Sequence, residues 1–322
     1  MTKLLIIVWL LLLGVSPTSA QDYPTKVITL VVPYAAGGPT DTVARLIAAP
    51  MSKSLNQQVI VENVLGAGGT IAANRVAKAA PDGYTLLIHH IGHATAPALY
   101  RKLPYDSVND FEPIGLINEV PMTMVGKKDL PPKDLKELIT YLKANKDKIN
   151  LANAGLGAAS HLCGMLFMSA IQTELTTVPY NGTGPAMNDL LGGQVDIMCD
   201  QTTNTTSQIK AGKINVYGVT TKKRLASLPN VPTMDEAGLK GFEVTVWHGL
   251  YAPKGTPKPV IDKLTSALQP ALKDDNVKQR FAELGSEAVA ENRAMPAALR
   301  AQLKAEIDKW SPIIKKAGVY AD

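Results

Sequence analysis

A continuous apolar strand, then a glycine loop, then a helix: this grammar recurs along the chain and restricts its fold more than any other feature. Val27-Ile28-Thr29-Leu30-Val31-Val32 is an unbroken apolar run of the kind that forms a strand buried on both faces. The chain then turns at Ala35-Ala36-Gly37-Gly38-Pro39. Val43, Ala44, Ile47 and Met51 follow at helical spacing, with Thr40 or Asp41 as the expected N-cap. The unit repeats as a strand over 58–62, the loop Gly66-Ala67-Gly68-Gly69 and a helix over 70–80, before a third strand over 85–89. Such alternation predicts a parallel sheet covered by helices.

The same grammar returns after Thr123. A helix is expected over 135–145, a strand over 150–152, the loop Gly155-Leu156-Gly157-Ala158-Ala159, and a helix over 160–171. Next come a strand over 176–180, the loop Asn181-Gly182-Thr183-Gly184, a helix over 185–191, and strands over 195–199 and 215–220. A return segment over 241–250 leads to two C-terminal helices, over 257–272 and 296–317. Two similar α/β lobes with a cleft between them account for this order, the C-terminal helices packing on the first lobe and strands making the crossings. The expected division is a leader over 1–20, a first lobe over 21–122 completed by 247–322, and a second lobe over 123–246.

The leader is read from Lys3, the apolar run from Leu4 to Val15 and the small residues Thr18-Ser19-Ala20, a pattern suited to export and cleavage after Ala20. That run is shorter than the ~20 residues a membrane-spanning helix needs. A composition of 46% hydrophobic and 19% charged residues excludes a disordered polymer. The net charge of +5 is scattered, and clusters such as Lys222-Lys223-Arg224 lack the interleaved aromatics of a nucleic-acid track. No nucleic-acid partner is expected. The two cysteines, Cys163 and Cys199, leave two readings open, a disulfide formed in an oxidising compartment or two small buried side chains.

Glycine lets a backbone approach a ligand closely, and the first-turn N–H groups of the helix behind it favour an anion. Four such loops, two from each lobe, point to one shared anion cleft. Catalytic and cofactor signatures fail. Ser160 stands where the third glycine of a GxGxxG belongs, and there is no GxxxxGK[ST], GxSxG, HExxH or CxxC. No cofactor or metal is expected. His89, His90 and His93 follow the third strand as candidate hydrogen-bond donors or packed loop histidines, and alternation sends His89 and His90 to opposite faces. Ser160 is placed to cap its helix or to meet a ligand. Asp200 ends a strand at the presumed cleft, where it caps a loop, bonds the other lobe or receives a ligand ammonium.

The segments Val31-Val32-Pro33-Tyr34-Ala35-Ala36-Gly37-Gly38-Pro39-Thr40-Asp41, Pro81-Asp82-Gly83-Tyr84-Thr85-Leu86, Leu103-Pro104-Tyr105-Asp106, Leu190-Leu191-Gly192-Gly193-Gln194-Val195-Asp196 and Ala252-Pro253-Lys254-Gly255-Thr256-Pro257 resemble the tripartite tricarboxylate transporter substrate-binding proteins, the Bug receptors. The resemblance runs through the whole expected mature chain. It implies an α/β, two-lobed periplasmic binding protein of type II fold, a Venus flytrap whose interlobe cleft closes on a carboxylate. It implies no enzyme activity, and partnership with the large and small subunits of a membrane permease. Carried onto this chain, the first-lobe ligand residues are Ala36, Gly37, Gly38, Thr40, Asp41, Gly68 and Gly69. The second lobe adds Gly155, Ala158, Ser160, Tyr180 and Asp200.

The chain departs from the family pattern at His89, His90, His93, Cys163 and Cys199, near the expected specificity end of the cleft. These departures suggest a longer ligand with a second polar end, terephthalate or a C4 to C6 aliphatic diacid. The histidines, with His161 and His248 as second-lobe partners, would donate to the distal carboxylate, while Tyr34, Tyr180 or Trp247 flank a ring. The alternative is that these side chains only pack the loops. A soluble periplasmic monomer is expected, with a sensory co-receptor or a periplasmic hydrolase as competing functions.

Overall fold

The computed structural model describes residues 23–318, 320 and 321, so the leader and its cleavage site lie outside the described residues. The first unit runs β1 (Ile28–Val32), α1 (Pro39–Leu55), β2 (Val59–Asn63), a 3-10 turn (Ala67–Gly69), α2 (Thr70–Ala77), β3 (Thr85–His90) and α3 (Gly92–Leu99). A long strand, β4 (Phe111–Lys127), leads to α4 (Leu135–Asn145), β5 (Asn150–Asn153), α5 (Ala159–Ile171), β6 (Thr176–Pro179), α6 (Thr183–Leu191), β7 (Ile197–Gln201), α7 (Thr202–Lys210) and β8 (Ile214–Val219). The chain returns through β9 (Thr245–Pro253), α8 (Lys258–Lys273), α9 (Asp275–Glu283), β10 (Glu287–Ala288) and α10 (Pro296–Ala317).

The strand order β2-β1-β3-β9-β4-β7-β5-β6, with β10 and β8 also on β4, resolves into two lobes that share one strand. From Phe111 to Pro121 β4 pairs antiparallel with β9. From Met122 onward it pairs with β7 and β8. The expected wholly parallel arrangement is therefore corrected. β1, β2 and β3 are parallel, as are β5, β6 and β7, but β9 runs against β3 and β4 in the first lobe, and β4 runs against β7 in the second. A strand that returns from the other lobe must enter the sheet from its far end.

Alternation divides the first lobe's core. Ile28, Leu30, Val32, Leu86 and Ile88 face α1 and α8, while Val31 and Leu87 face the core built by α2, α3 and α10. Three helices escape the sequence reading. α3 is buried nearly all round and contains Gly92 and Pro97, so it has no polar face to set a period. The helix α7 begins Thr202-Thr203-Asn204-Thr205-Thr206, a run of low helix propensity held by tertiary contacts. α9 is separated from α8 only by Asp274, whose side chain accepts from the N–H groups of Asn276 and Val277 as an N-cap.

Cys163 of α5 and Cys199 of β7 form a disulfide across a sequence separation of 36. Both half-cystines are fully buried. Closing a loop of that length stabilises the fold by about 4 kcal/mol in the chain-entropy description. Urea unfolding of the Cys163→Ala/Cys199→Ala protein is expected to show a loss of roughly that size, about 2–4 kcal/mol. A midpoint unchanged from wild type would contradict it.

Candidate functional site

The four glycine loops meet between the lobes. Ala35 donates its N–H to the Asn181 carbonyl at 2.8 Å. A Cβ on Gly38 would lie 3.4 Å from the Gly184 nitrogen, and one on Gly182 would lie 2.9 Å from the Ala35 nitrogen. The second pair is as close: a Cβ on Gly68 would overlap the Leu156 carbonyl oxygen, and Gly155 packs against the Gly68 backbone. Thr95 Oγ1 of α3 lies 3.0 Å from the Gly157 carbonyl oxygen across the same boundary. Which loops meet, and that Thr95 joins them, was not foreseen, because contact between segments far apart in the chain leaves no local signal.

Behind these loops stand the N-termini of α1, α2, α5 and α6, and none of the four has a side-chain cap. Elsewhere Asp134 caps α4 and Asp274 caps α9, while α3, α7, α8 and α10 likewise have no side-chain cap. The expected cap at Thr40 or Asp41 is corrected. Pro39 opens α1 and Gly38 occupies the cap position, which puts both residues inside the first turn. Asp41 is a scaffold carboxylate. It accepts from the Gly37 N–H at 2.9 Å, Arg45 Nε at 2.9 Å and Asn63 Nδ2 at 3.0 Å. Burial raises its pKa, but Arg45, Gly37 and Asn63 outweigh that and leave it below the ordinary value. Ser160 does not cap α5. It is buried, and its hydroxyl accepts the Ala154 N–H at 2.8 Å, while Ala158 holds the cap position.

The histidines divide into groups. His89 Nδ1 accepts the His90 N–H, His90 Nδ1 accepts the Gly92 N–H, and His161 Nδ1 accepts the Gly157 N–H. Burial pushes His90 down to about 3 and His161 to about 4, and lowers His89 well below the ordinary imidazole range. Neutral rings whose Nδ1 accepts must carry the proton on Nε2. Each is thus a preset donor. His90 also stacks on Tyr34, with centroids 4.8 Å apart and planes at 15°. Tyr34 in turn donates to the Gly68 carbonyl at 2.9 Å, joining the first loop to the second.

His93 lies behind His89, their ring centroids 5.2 Å apart, and packs on its other sides among Tyr105, Phe111 and Tyr251 in the first lobe's interior. Nor is His248 in the second lobe, as expected. It stands on β9 in the first, between Asn118 Oδ1 at 2.9 Å and Thr40 Oγ1 at 3.3 Å. Trp247 is buried, and its Nε1 has no hydrogen-bond partner. Tyr180 spends its hydroxyl on Asp189 of its own lobe, at 2.7 Å. Asp200 is buried and accepts from Asn204 Nδ2 at 2.6 Å, and burial raises its pKa to about 6.

Two α/β lobes joined by a shared strand, closing glycine loops on one another between uncapped helix N-termini, define a solute-binding protein. Residues 43–319 match the tripartite tricarboxylate transporter family receptor, and the chain belongs to this family. Its structure superposes on the periplasmic binding protein BugD with TM-score 0.91 and 55% identity, covering 92% of this chain and 99% of BugD. MatC from Rhodopseudomonas palustris, solved with bound malate, gives 0.88 and 44%, covering 91% of this chain and 100% of MatC. A second R. palustris protein, solved with adipate, gives 0.87 and 35%, covering 93% and 99%. The protein is therefore a periplasmic solute-binding receptor of the tripartite tricarboxylate transporter family, and it is not an enzyme.

Gly68→Ala should block closure while leaving each lobe folded, because the added methyl meets backbone of the opposite lobe. Gly37→Ala meets nothing within 4 Å and pays only for its φ of +78°, about 1–2 kcal/mol. Scattering and calorimetry with malate should show a more extended, weakly binding Gly68 variant and a near-normal Gly37 variant. The buried histidines carry a pH signature of known sign. Their folded pKa values lie below 6.5, so below pH 6.5 the unfolded chain binds protons that the folded one does not, and stability falls toward pH 4. Asp200, with a raised pKa, partly offsets this between about 6 and 3.8. Melting curves of His161→Gln should fall less steeply over that range than those of wild type.

Proposed function

We propose that the receptor captures a C4 to C6 aliphatic dicarboxylate and delivers it to a permease with a large and a small membrane subunit. The observation that carries this reading is the convergence of four uncapped helix N-termini from both lobes on glycine loops containing no Arg or Lys. Backbone N–H groups and helix dipoles then supply the attraction for an anion. In this reading Ala36, Gly37, Gly38, Gly68 and Gly69 hold one carboxylate with the backbone of Gly155, Ala158 and Ser160, and the Nε2–H groups of His89, His90 and His161 serve the other. Thr40, Asp41, Tyr34, Tyr180, His93, Trp247 and His248 hold the surrounding frame, and Asp200 closes the floor of the second lobe.

Malate and adipate in the relatives support an aliphatic ligand. The aromatic reading, terephthalate, is less well supported, because the faces of Tyr34 and His90 are stacked on each other rather than left for a ring. Export with cleavage after Ala20, lobe boundaries at 122/123 and 246/247, and a monomeric state belong to the same proposal. Calorimetric titration with succinate, malate, adipate, benzoate and terephthalate tests the ligand. Tightest binding by an aliphatic diacid is expected. Tightest binding by terephthalate would replace this reading with the aromatic one, and no binding by any diacid would remove both.

A further inference from the structure

On the side of the lobes marked by α7, three side chains of the second lobe reach across to the first. Thr202 Oγ1 donates to the Gly285 carbonyl at 3.1 Å, Thr206 Oγ1 to the Leu284 carbonyl at 3.1 Å, and Lys210 Nζ to the Glu283 carbonyl at 3.3 Å. Positions 202, 206 and 210 recur every four residues, so they form one stripe along α7. Their acceptors are successive carbonyls at the C-terminal end of α9, where a helix leaves its last carbonyls without intrahelical partners and carries negative partial charge. Two hydroxyls and an ammonium satisfy that end, and they come from the opposite lobe. Thr202 and Thr206 are fully buried there.

The acceptor end is itself fastened to the first turn of α1 in the first lobe. Ser286, next in the chain, donates to the Glu119 carbonyl of β4 at 3.0 Å and accepts from Asn118 Nδ2 at 2.9 Å. With Asn118 Oδ1 accepting from His248 Nδ1, His248 Nε2 is left to accept from Thr40, in the first turn of α1. A buried hydrogen-bonded chain thus runs from the first turn of α1, behind the first glycine loop, to the carbonyls that α7 grips.

We propose that Thr202, Thr206 and Lys210 are positioning residues for ligand capture: they clasp the end of α9 and hold the lobes in the closed arrangement. The clasp touches no ligand, so it acts equally on every ligand through the population of the closed state. The proposal rests on the receptor reading only for its ligand arm. A Thr202→Val/Thr206→Val/Lys210→Met protein, without ligand, is expected to have a larger radius of gyration than ligand-free wild type, whose radius should match the closed structure. Thr206→Ser, which keeps the donor, should be indistinguishable from wild type by the same measure, and a far-ultraviolet circular dichroism spectrum unchanged from wild type shows that the triple variant is folded. With malate as the probe, the triple variant should dissociate faster. If the closed population falls to about a tenth, the apparent Kd rises about tenfold, with the ratio of malate to adipate affinity unchanged. An already expanded ligand-free wild type, or a triple variant as compact as wild type, would overturn the clasp whether or not malate binds. A changed malate to adipate ratio would also overturn it, by making these residues part of the ligand site.

Discussion

One strand carries the hydrogen bonding of both lobes. β4 gives the residues from Phe111 to Pro121 to the first sheet and those from Met122 onward to the second, so neither sheet is complete without it. A backbone shared in this way fixes the lobes' mutual position to within a bend of a few residues. Thr220 adds to the join, donating to the Val244 carbonyl at 2.5 Å and lying 3.0 Å from the Met122 nitrogen. The parallel strands of each lobe then end facing the same gap, and their helices start there. The position of the ligand loops follows from the topology of the sheets.

Closeness of approach is the second condition. Backbones from opposite lobes meet without intervening side chains at Gly38 and Gly184, at Gly182 and Ala35, and at Gly68 and Leu156. Any Cβ at several of these points would hold the loops apart and leave the helix N-termini facing water rather than an enclosed anion. A site of this type gains selectivity from shape and donor placement rather than from charge. The histidines fit that logic. Buried and neutral, with Nδ1 occupied by a backbone N–H, His89, His90 and His161 each keep a fixed Nε2–H donor and carry no charge.

Much of the frame was legible from local chemistry. Buried parallel strands announce themselves as apolar runs, and glycine loops at their ends mark where helices begin. The boundaries of α4 coincide with its amphipathic period. Helices whose stability comes from their neighbours were not legible. α3 is too buried and α7 too rich in threonine to show a period, although α7 presents the stripe that grips α9. The direction of β9 was also hidden, since an apolar strand reads the same whichever way it runs.

At the candidate site the division is sharper. The sequence by itself determined which segments are glycine loops before helices, that none contains a cation, and that two cysteines and five histidines were available. Those are properties of residue type and spacing, set by conformational freedom and charge. Tertiary structure alone decided that Asp41 binds the Gly37 N–H rather than capping α1, that His248 belongs to the first lobe, and that His93 lies in an aromatic interior. It also decided that Cys163 and Cys199 are joined. Each of these depends on which groups a distant part of the chain brings within hydrogen-bond or bonding distance, and no local pattern in the sequence encodes that distance.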